Sequence, residues 1–203
     1  QVQDAVLSSV VPELTEVFTI LIESLIGKAP VKVSHECNLG IEINTETPAK
    51  VGQDRLINAA AAYDQYKTSL IIIDCGTATT LDVVTEGGVF EGGVICPGLL
   101  ISADVLFSKA AQLFQVNLEM PEYVIGKNTT DSVKSGLIYG YGGMIASLIK
   151  RITNEIEKQA QPKPKVVITG GLAAKILPIL SNVYYHDDLT LRGLYLFYLL
   201  NKY

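Results

Sequence analysis

The sequence is poor in the residues that build metal-bound or cross-linked folds. It has three cysteines and two histidines. Cys37, Cys75 and Cys96 lie far apart with no CxxC pair, so neither a disulfide framework nor a zinc site is expected, and the odd count fits a reduced, cytoplasmic chain. An excess of positive charge is also lacking. The formal net charge is −5, which speaks against a nucleic-acid or acidic-membrane partner, since either favours a basic face. No apolar run reaches the ~18 residues of a bilayer span; the longest candidates are broken by residues such as Glu23 and Gly27. Charged residues are only 18% against 48% hydrophobic, which excludes disorder and leaves enough apolar mass for a core. An initiating methionine and a charged leader are missing as well: the chain opens at Gln1 and runs almost directly into AVLSSVV. No signal peptide is expected, and a further N-terminal portion is expected to precede these residues.

What is present is a regular alternation of strands and helices, which predicts an α/β fold. Ala5 to Val11 reads as a strand, and Pro12 opens a helix carried by Leu14, Val17, Phe18, Leu21, Ile22 and Leu25 up to Gly27. Val31 to Ser34 is a short strand, and the alanine-rich stretch from Asp54 to Tyr66 is a closely packed helix. Three strands follow, at Leu70–Asp74, Thr80–Thr85 and Val89–Ile95, the last two joined at Gly87-Gly88. Helices are expected at Leu99–Leu113 and, after IGKNTT, from Asp131 to Ala160. The glycines of this long helix (136, 140, 142 and 143) suggest close packing. A strand at Val166–Thr169, a short helix at Leu172–Leu180 and a closing helix at Leu189–Asn201 complete the pattern.

Four stretches could carry chemistry. In DCGTATT, Asp74 ends a buried strand and Gly76 permits a sharp turn, so that successive N–H groups and the hydroxyls of Thr77, Thr79 and Thr80 form a nest for polyphosphate oxygens. A carboxylate beside an anion is tolerable when a cation lies between them, so Asp74 implies a bound metal or monovalent ion. The plainer reading is a hairpin whose threonines cap its own backbone. In VGQDR, Arg55 could fork onto a substrate carboxylate or phosphate, and Asp54 could take a proton from a substrate hydroxyl during phosphoryl transfer. The same pair also reads as a helix-start carboxylate beside a surface arginine. GGVICPG (92–98) and TGGLA (169–173) each follow a strand and lead into a helix, as phosphate-binding turns and ordinary turns both do. IGKNTT brings Lys127 and Thr129 to a loop, with Thr130 as a candidate N-cap.

Taken in order, SSVVP, GQDR, DCGTATTLDVV, FEGGVICPGLLISADVLF, IGKNTTDSVKSGLIYGYGGMI and VITGGLA resemble the type III pantothenate kinases nearly end to end. The specificity lies in the joint order, each motif alone being modest. The resemblance implies two ribonuclease-H-like domains of the actin-like superfamily around a nucleotide cleft. Residues 1–66 would be the remainder of the first domain and residues 67–203 the second, with the closing helix packing back on the first. It implies ATP-dependent phosphorylation of pantothenate, the first step toward coenzyme A, with Mg²⁺ on the nucleotide, a required monovalent cation (K⁺ or NH₄⁺) and a homodimer whose pantothenate pocket lies at the interface. By position, Asp54 looks like the general base and Gly52, Gln53, Asp54 and Arg55 like the pantothenate-binding segment. Thr129 is a further substrate contact, Asp74 the cation ligand, and Gly76, Thr77, Gly170 and Gly171 the nucleotide contacts.

The chain departs from the family pattern in three places. GQDR stands where GADR is usual, so Gln53 replaces a small residue. Thr45 stands where a tyrosine is common. The DxGNT phosphate loop does not occur, and the isolated chain is therefore expected to be a poor kinase. Two other readings compete: a non-catalytic relative acting as an accessory or regulatory binding protein, and another small-molecule kinase of the same superfamily.

Overall fold

A computed structural model of the chain describes residues 2–110 and 112–202. The fold is mixed α/β. The elements in order are β1 (Val6–Leu7), α1 (Pro12–Ile26), β2 (Val31–Lys32), β3 (Glu42–Ile43), α2 (Gln53–Tyr66), β4 (Leu70–Cys75), β5 (Ala78–Val84), β6 (Val89–Pro97), α3 (Leu99–Lys109), α4 (Thr129–Lys158), β7 (Lys165–Thr169), β8 (Val183–Tyr185) and α5 (Leu189–Asn201). Six strands pair in the order β3-β6-β5-β4-β7-β8, while β1 and β2 form a separate parallel pair. Among the described residues no helix is long and apolar enough to cross a membrane.

By internal contacts the chain groups into two compact units. The first comprises Gln1–Leu70, Asp82–Gly92 and Asp188–Tyr203, the second Ile71–Leu81 and Gly93–Asp187.

In the first unit α2 and α5 form the core. The alanines of α2 (59 to 62) are buried, and the absence of larger side chains lets α5 come close. A Cβ at Gly193 would lie 2.3 Å from the Ile57 carbonyl oxygen and 2.5 Å from the Ile57 Cγ2. Alongside it the Thr190 hydroxyl donates to the buried Asn58 Oδ1 at 2.7 Å, which gives that polar group a partner in an apolar interface. Gly193→Ala is therefore expected to force the two helices apart and cost about 1–3 kcal/mol, the range of an overpacked core. Urea unfolding read by circular dichroism checks this, and an unchanged midpoint would contradict the packing described. Strand β3 lies parallel to β6 with Glu42 opposite Val89 and Ile43 opposite Phe90. The β5–β6 hairpin closes at Thr85, whose N–H donates to the Val89 oxygen at 2.9 Å.

In the second unit β4 is central and buried from Ile71 to Ile73, as its run of apolar residues requires. Strands β7 and β8 are parallel, with Val166 opposite Val183. Helix α4 buries Ile138, Tyr141 and Ile145. Its N-cap is Asn128, whose side chain accepts the Asp131 N–H at 2.8 Å and donates back to the Asp131 carboxylate. Thr130, the candidate from the sequence, is already inside the first turn.

Several expected elements are altered. The strand at Ala5–Val11 shrinks to two residues, because Ser9 turns the chain and its hydroxyl bonds to Val11. The strand at Val31–Ser34 is likewise two residues long. The helix expected to reach Leu113 stops at Lys109, where Ala110 takes an extended backbone; position 111 lies outside the described residues. The helix expected at Leu172–Leu180 is instead a pair of 3-10 turns, Ala173–Lys175 and Leu177–Ile179, since Pro178 removes a donor that a continuous helix needs. Of the α4 glycines, only Gly142 meets a close neighbour, Ile179. Gly136, Gly140 and Gly143 have open space where a Cβ would stand, so close packing accounts for one of the four.

Candidate functional site

The first group of predicted site residues lies at the start of α2. Gly52 is the N-cap, and a Cβ there would come within 2.6 Å of the Asp54 Oδ1, so a side chain at 52 would displace the carboxylate. Asp54 is exposed in the first turn, where its Oδ1 accepts the Arg55 N–H at 2.9 Å and the helix N-terminus favours its charge. Gln53 uses its greater length structurally: its Oε1 accepts the Ser9 N–H at 3.3 Å, on the wall of a cavity of 490 Å³ shared with Pro12, Lys32 and Ser34. Arg55 is engaged inward. Its Nε donates to the Asp82 Oδ1 at 2.9 Å, a terminal nitrogen bonds the same oxygen, and the guanidinium sits 5.7 Å from the centre of the Phe90 ring. Asp82 is buried, 1% exposed, so this is a desolvated ion pair. A guanidinium has five N–H groups, and three remain for another anion.

The second group gathers at the C-terminal end of β4. The turn after it is closed by the Gly76 N–H donating to the Ala78 oxygen at 3.1 Å. Two other glycine turns press against this one. A Cβ at Gly98 would lie 2.2 Å from the Thr77 oxygen and 2.6 Å from the Gly76 oxygen. A Cβ at Gly170 would lie 2.5 Å from the Cys75 nitrogen and 2.6 Å from the Asp74 Oδ1. Gly170 also has φ +96, a conformation L side chains rarely adopt. Beyond it, Gly171 has nothing within 4 Å of its Cβ position, and the Leu172 N–H returns to the Cys75 oxygen at 3.2 Å. Three strand ends, those of β4, β6 and β7, thus converge as bare backbone around Asp74 and Thr77, the setting in which α/β sheets take anionic ligands.

The threonines of the turn divide. Thr77 is exposed, whereas Thr79 is buried and its hydroxyl bonds the Tyr141 hydroxyl of α4. The expectation that Thr79 contributes a hydroxyl to a phosphate nest is corrected: strand alternation turns it to the interior. Cys75 lies beneath the same turn, its thiol pushed up to about 12 by burial and by the charge of Asp74. All three cysteines are free.

Thr129 lies in the first turn of α4, where it lines a cavity of 630 Å³ with Lys127, Asn128, Ser132 and Leu106. Sequence reasoning missed Asp82 and Tyr141 as members of these constellations. Asp82 carried one signal, a carboxylate inside an apolar strand, which demands a cation. Tyr141 carried none beyond its glycine neighbours.

Among the described residues no three His, Cys, Asp or Glu side chains cluster as a metal site. A single carboxylate carries too little charge for a dedicated divalent chelate, and Mg²⁺ is ordinarily held through substrate phosphates.

The fold is mixed α/β, with glycine turns gathered at the carboxyl ends of β4, β6 and β7. A profile of the type III pantothenate kinases matches residues 1–151. The type III pantothenate kinase of Syntrophotalea carbinolica is 40% identical over all 203 residues and 78% of its own length. That of Citrifermentans bemidjiense is 41% identical over 99% of the chain and 78% of its own length. A solved structure from Campylobacter jejuni, a conserved protein assigned to the Baf family of transcriptional activators, superimposes with a TM-score of 0.67 at 17% identity. It covers the whole chain and 85% of that protein, which speaks to the fold alone. The chain belongs to the type III pantothenate kinase family. It is accordingly a kinase whose acceptor is pantothenate, in the coenzyme A pathway.

Proposed function

We propose that Asp54 accepts the proton of the pantothenate hydroxyl as it attacks the terminal phosphate of ATP, and that the turn from Asp74 to Thr77, flanked by Gly98, Gly170 and Gly171, holds the nucleotide. The observation that carries this reading is the crowding of Gly98 and Gly170 onto that turn, which leaves main-chain groups where any side chain would intrude. Phosphoryl transfer asks little covalent chemistry of a protein: positioned donors, a base near the hydroxyl and neutralised charge suffice. Gly52 keeps the approach to Asp54 clear. Gln53 and the remaining N–H groups of Arg55 bind the acceptor's polar end, and Thr129 makes a further contact with it. Asp74 would hold K⁺ or NH₄⁺, which supplies the positive charge that lets a carboxylate stand beside phosphate, with Mg²⁺ arriving on ATP. In the same reading the protein is a cytoplasmic homodimer with two ribonuclease-H-like domains, residues 1–66 contributing to the first and 67–203 forming the second. The sheet order, in which β6-β5-β4 is extended by β7 and β8, supports the second.

The test is formation of 4'-phosphopantothenate from ATP·Mg²⁺ and pantothenate in KCl, read by mass spectrometry. ATP consumption that follows a sugar or another small acid in preference to pantothenate would overturn the acceptor assignment. Replacing KCl by choline chloride is expected to weaken binding of a non-hydrolysable ATP analogue about tenfold, within the usual range of coupling between linked sites. Asp74→Asn is expected to abolish that difference between salts. A variant that still responds to K⁺ would remove Asp74 from the role.

A further inference from the structure

We propose that Tyr141 is a positioning residue for the nucleotide: its hydroxyl locks the turn between Cys75 and Thr79 and the start of α3 into one rigid cradle. The proposal rests on the reading of that turn as the phosphate site.

The geometry is a single phenol serving three chain segments. Its oxygen bonds the Thr79 hydroxyl, on β5. It also meets the Cys75 sulfur at the end of β4 and the main chain of Leu99, the first residue of α3. Leu99 is a first-turn residue whose N–H has no partner within its helix, and the N-cap, Gly98, has no side chain to offer one to that turn. Cys75 and Thr79 bracket Gly76 and Thr77, whose carbonyls Gly98 rests on. One hydroxyl is therefore bonded at the Thr79 end of the phosphate turn and lies against its Cys75 end and the start of α3.

The environment keeps this arrangement intact. Thr79 and Cys75 are fully buried and Tyr141 is 7% exposed, so water does not compete for the bonds. Burial pushes the phenol up to about 12, so it keeps its proton across the neutral range. A tyrosine this buried has no direct access to substrate. Its effect is to hold main-chain N–H groups in place before the anion arrives, which is where preorganised donors gain their strength.

Tyr141→Phe keeps the ring and removes the oxygen. It is expected to weaken binding of a non-hydrolysable ATP analogue about tenfold, in line with the buried Thr79 hydroxyl left unmatched, while pantothenate binding stays within twofold. Isothermal titration of each ligand into wild type and variant reads the split. Thr79→Val, which removes the other hydroxyl, should reproduce the loss, and Thr79→Ser, which keeps it, should retain more affinity than Thr79→Val. Analogue binding within twofold of wild type in Tyr141→Phe would overturn the proposal. So would an equal loss for both ligands accompanied by a lowered melting temperature, which marks general loosening. Failure of the wild type to bind the analogue would instead sink the nucleotide reading beneath it, and the proposal with it.

Discussion

Asp54→Asn is expected to lower turnover by about 10²–10⁴-fold, the usual worth of a positioned base. The substitution changes little else. Asp54 is exposed and forms no ion pair among the described residues, and asparagine retains an oxygen to accept the Arg55 N–H. Stability should therefore stay within about 0.5 kcal/mol of wild type, as for ordinary surface changes. ATP-analogue affinity should hold as well, because the nucleotide groups are carried by the turns around Asp74. What asparagine cannot do is take the proton of the acceptor hydroxyl. Steady-state kcat, with analogue binding and thermal melting measured on the same preparation, isolates that loss. Turnover within a few-fold of wild type would remove Asp54 as the base. A parallel loss of nucleotide binding would mean that the carboxylate acts on phosphate geometry instead.

The parts of this molecule that were legible in the sequence are those where one local rule decides the outcome. The buried run Leu70–Ile73 can only be a covered strand, Gly87-Gly88 only a tight reversal, and Pro12 followed by helical spacing only a helix start. The strands β3 and β8 escaped notice because two or three residues carry no period to detect; they exist through pairing with β6 and β7. The region after Gly171 shows the opposite error. Its apolar spacing is helical, yet Pro178 breaks it into 3-10 turns, and Gly142 gives Ile179 a place to sit.

The candidate site divides along the same line. Gly170 and Gly98 were found as turn residues, but their purpose, bare backbone pressed on the turn after β4, is a long-range fact that no local motif states. Thr79 was read with the other hydroxyls although the alternation of β5 turns it inward. Tyr141 lies 62 residues from Thr79, and nothing in its neighbourhood announces the partnership. Arg55 was seen as a free fork, whereas the strand that carries Asp82 had already claimed part of it.

That claim on Arg55 sets the second large effect. Asp82→Ala is expected to destabilise the protein by about 3–5 kcal/mol, because it strands a largely buried guanidinium without its carboxylate. For a chain of this size the melting temperature should fall by roughly 10 °C. The guanidinium is only 15% exposed on its side chain and rests on Phe90, so it cannot swing into solvent without giving up that packing as well. Asp82→Asn keeps the shape and one acceptor and should cost less. The informative comparison is the double variant Arg55→Met with Asp82→Leu, which replaces the pair by apolar volume and should regain most of the lost stability. If Arg55 serves only the fold, the double variant recovers pantothenate affinity along with its melting temperature. If its three remaining N–H groups also hold the acceptor, stability returns while pantothenate affinity stays low. A single Asp82→Ala variant melting within 2 °C of wild type would show that the charge finds water, and the desolvated pair would no longer explain why an aspartate stands in a strand of valines.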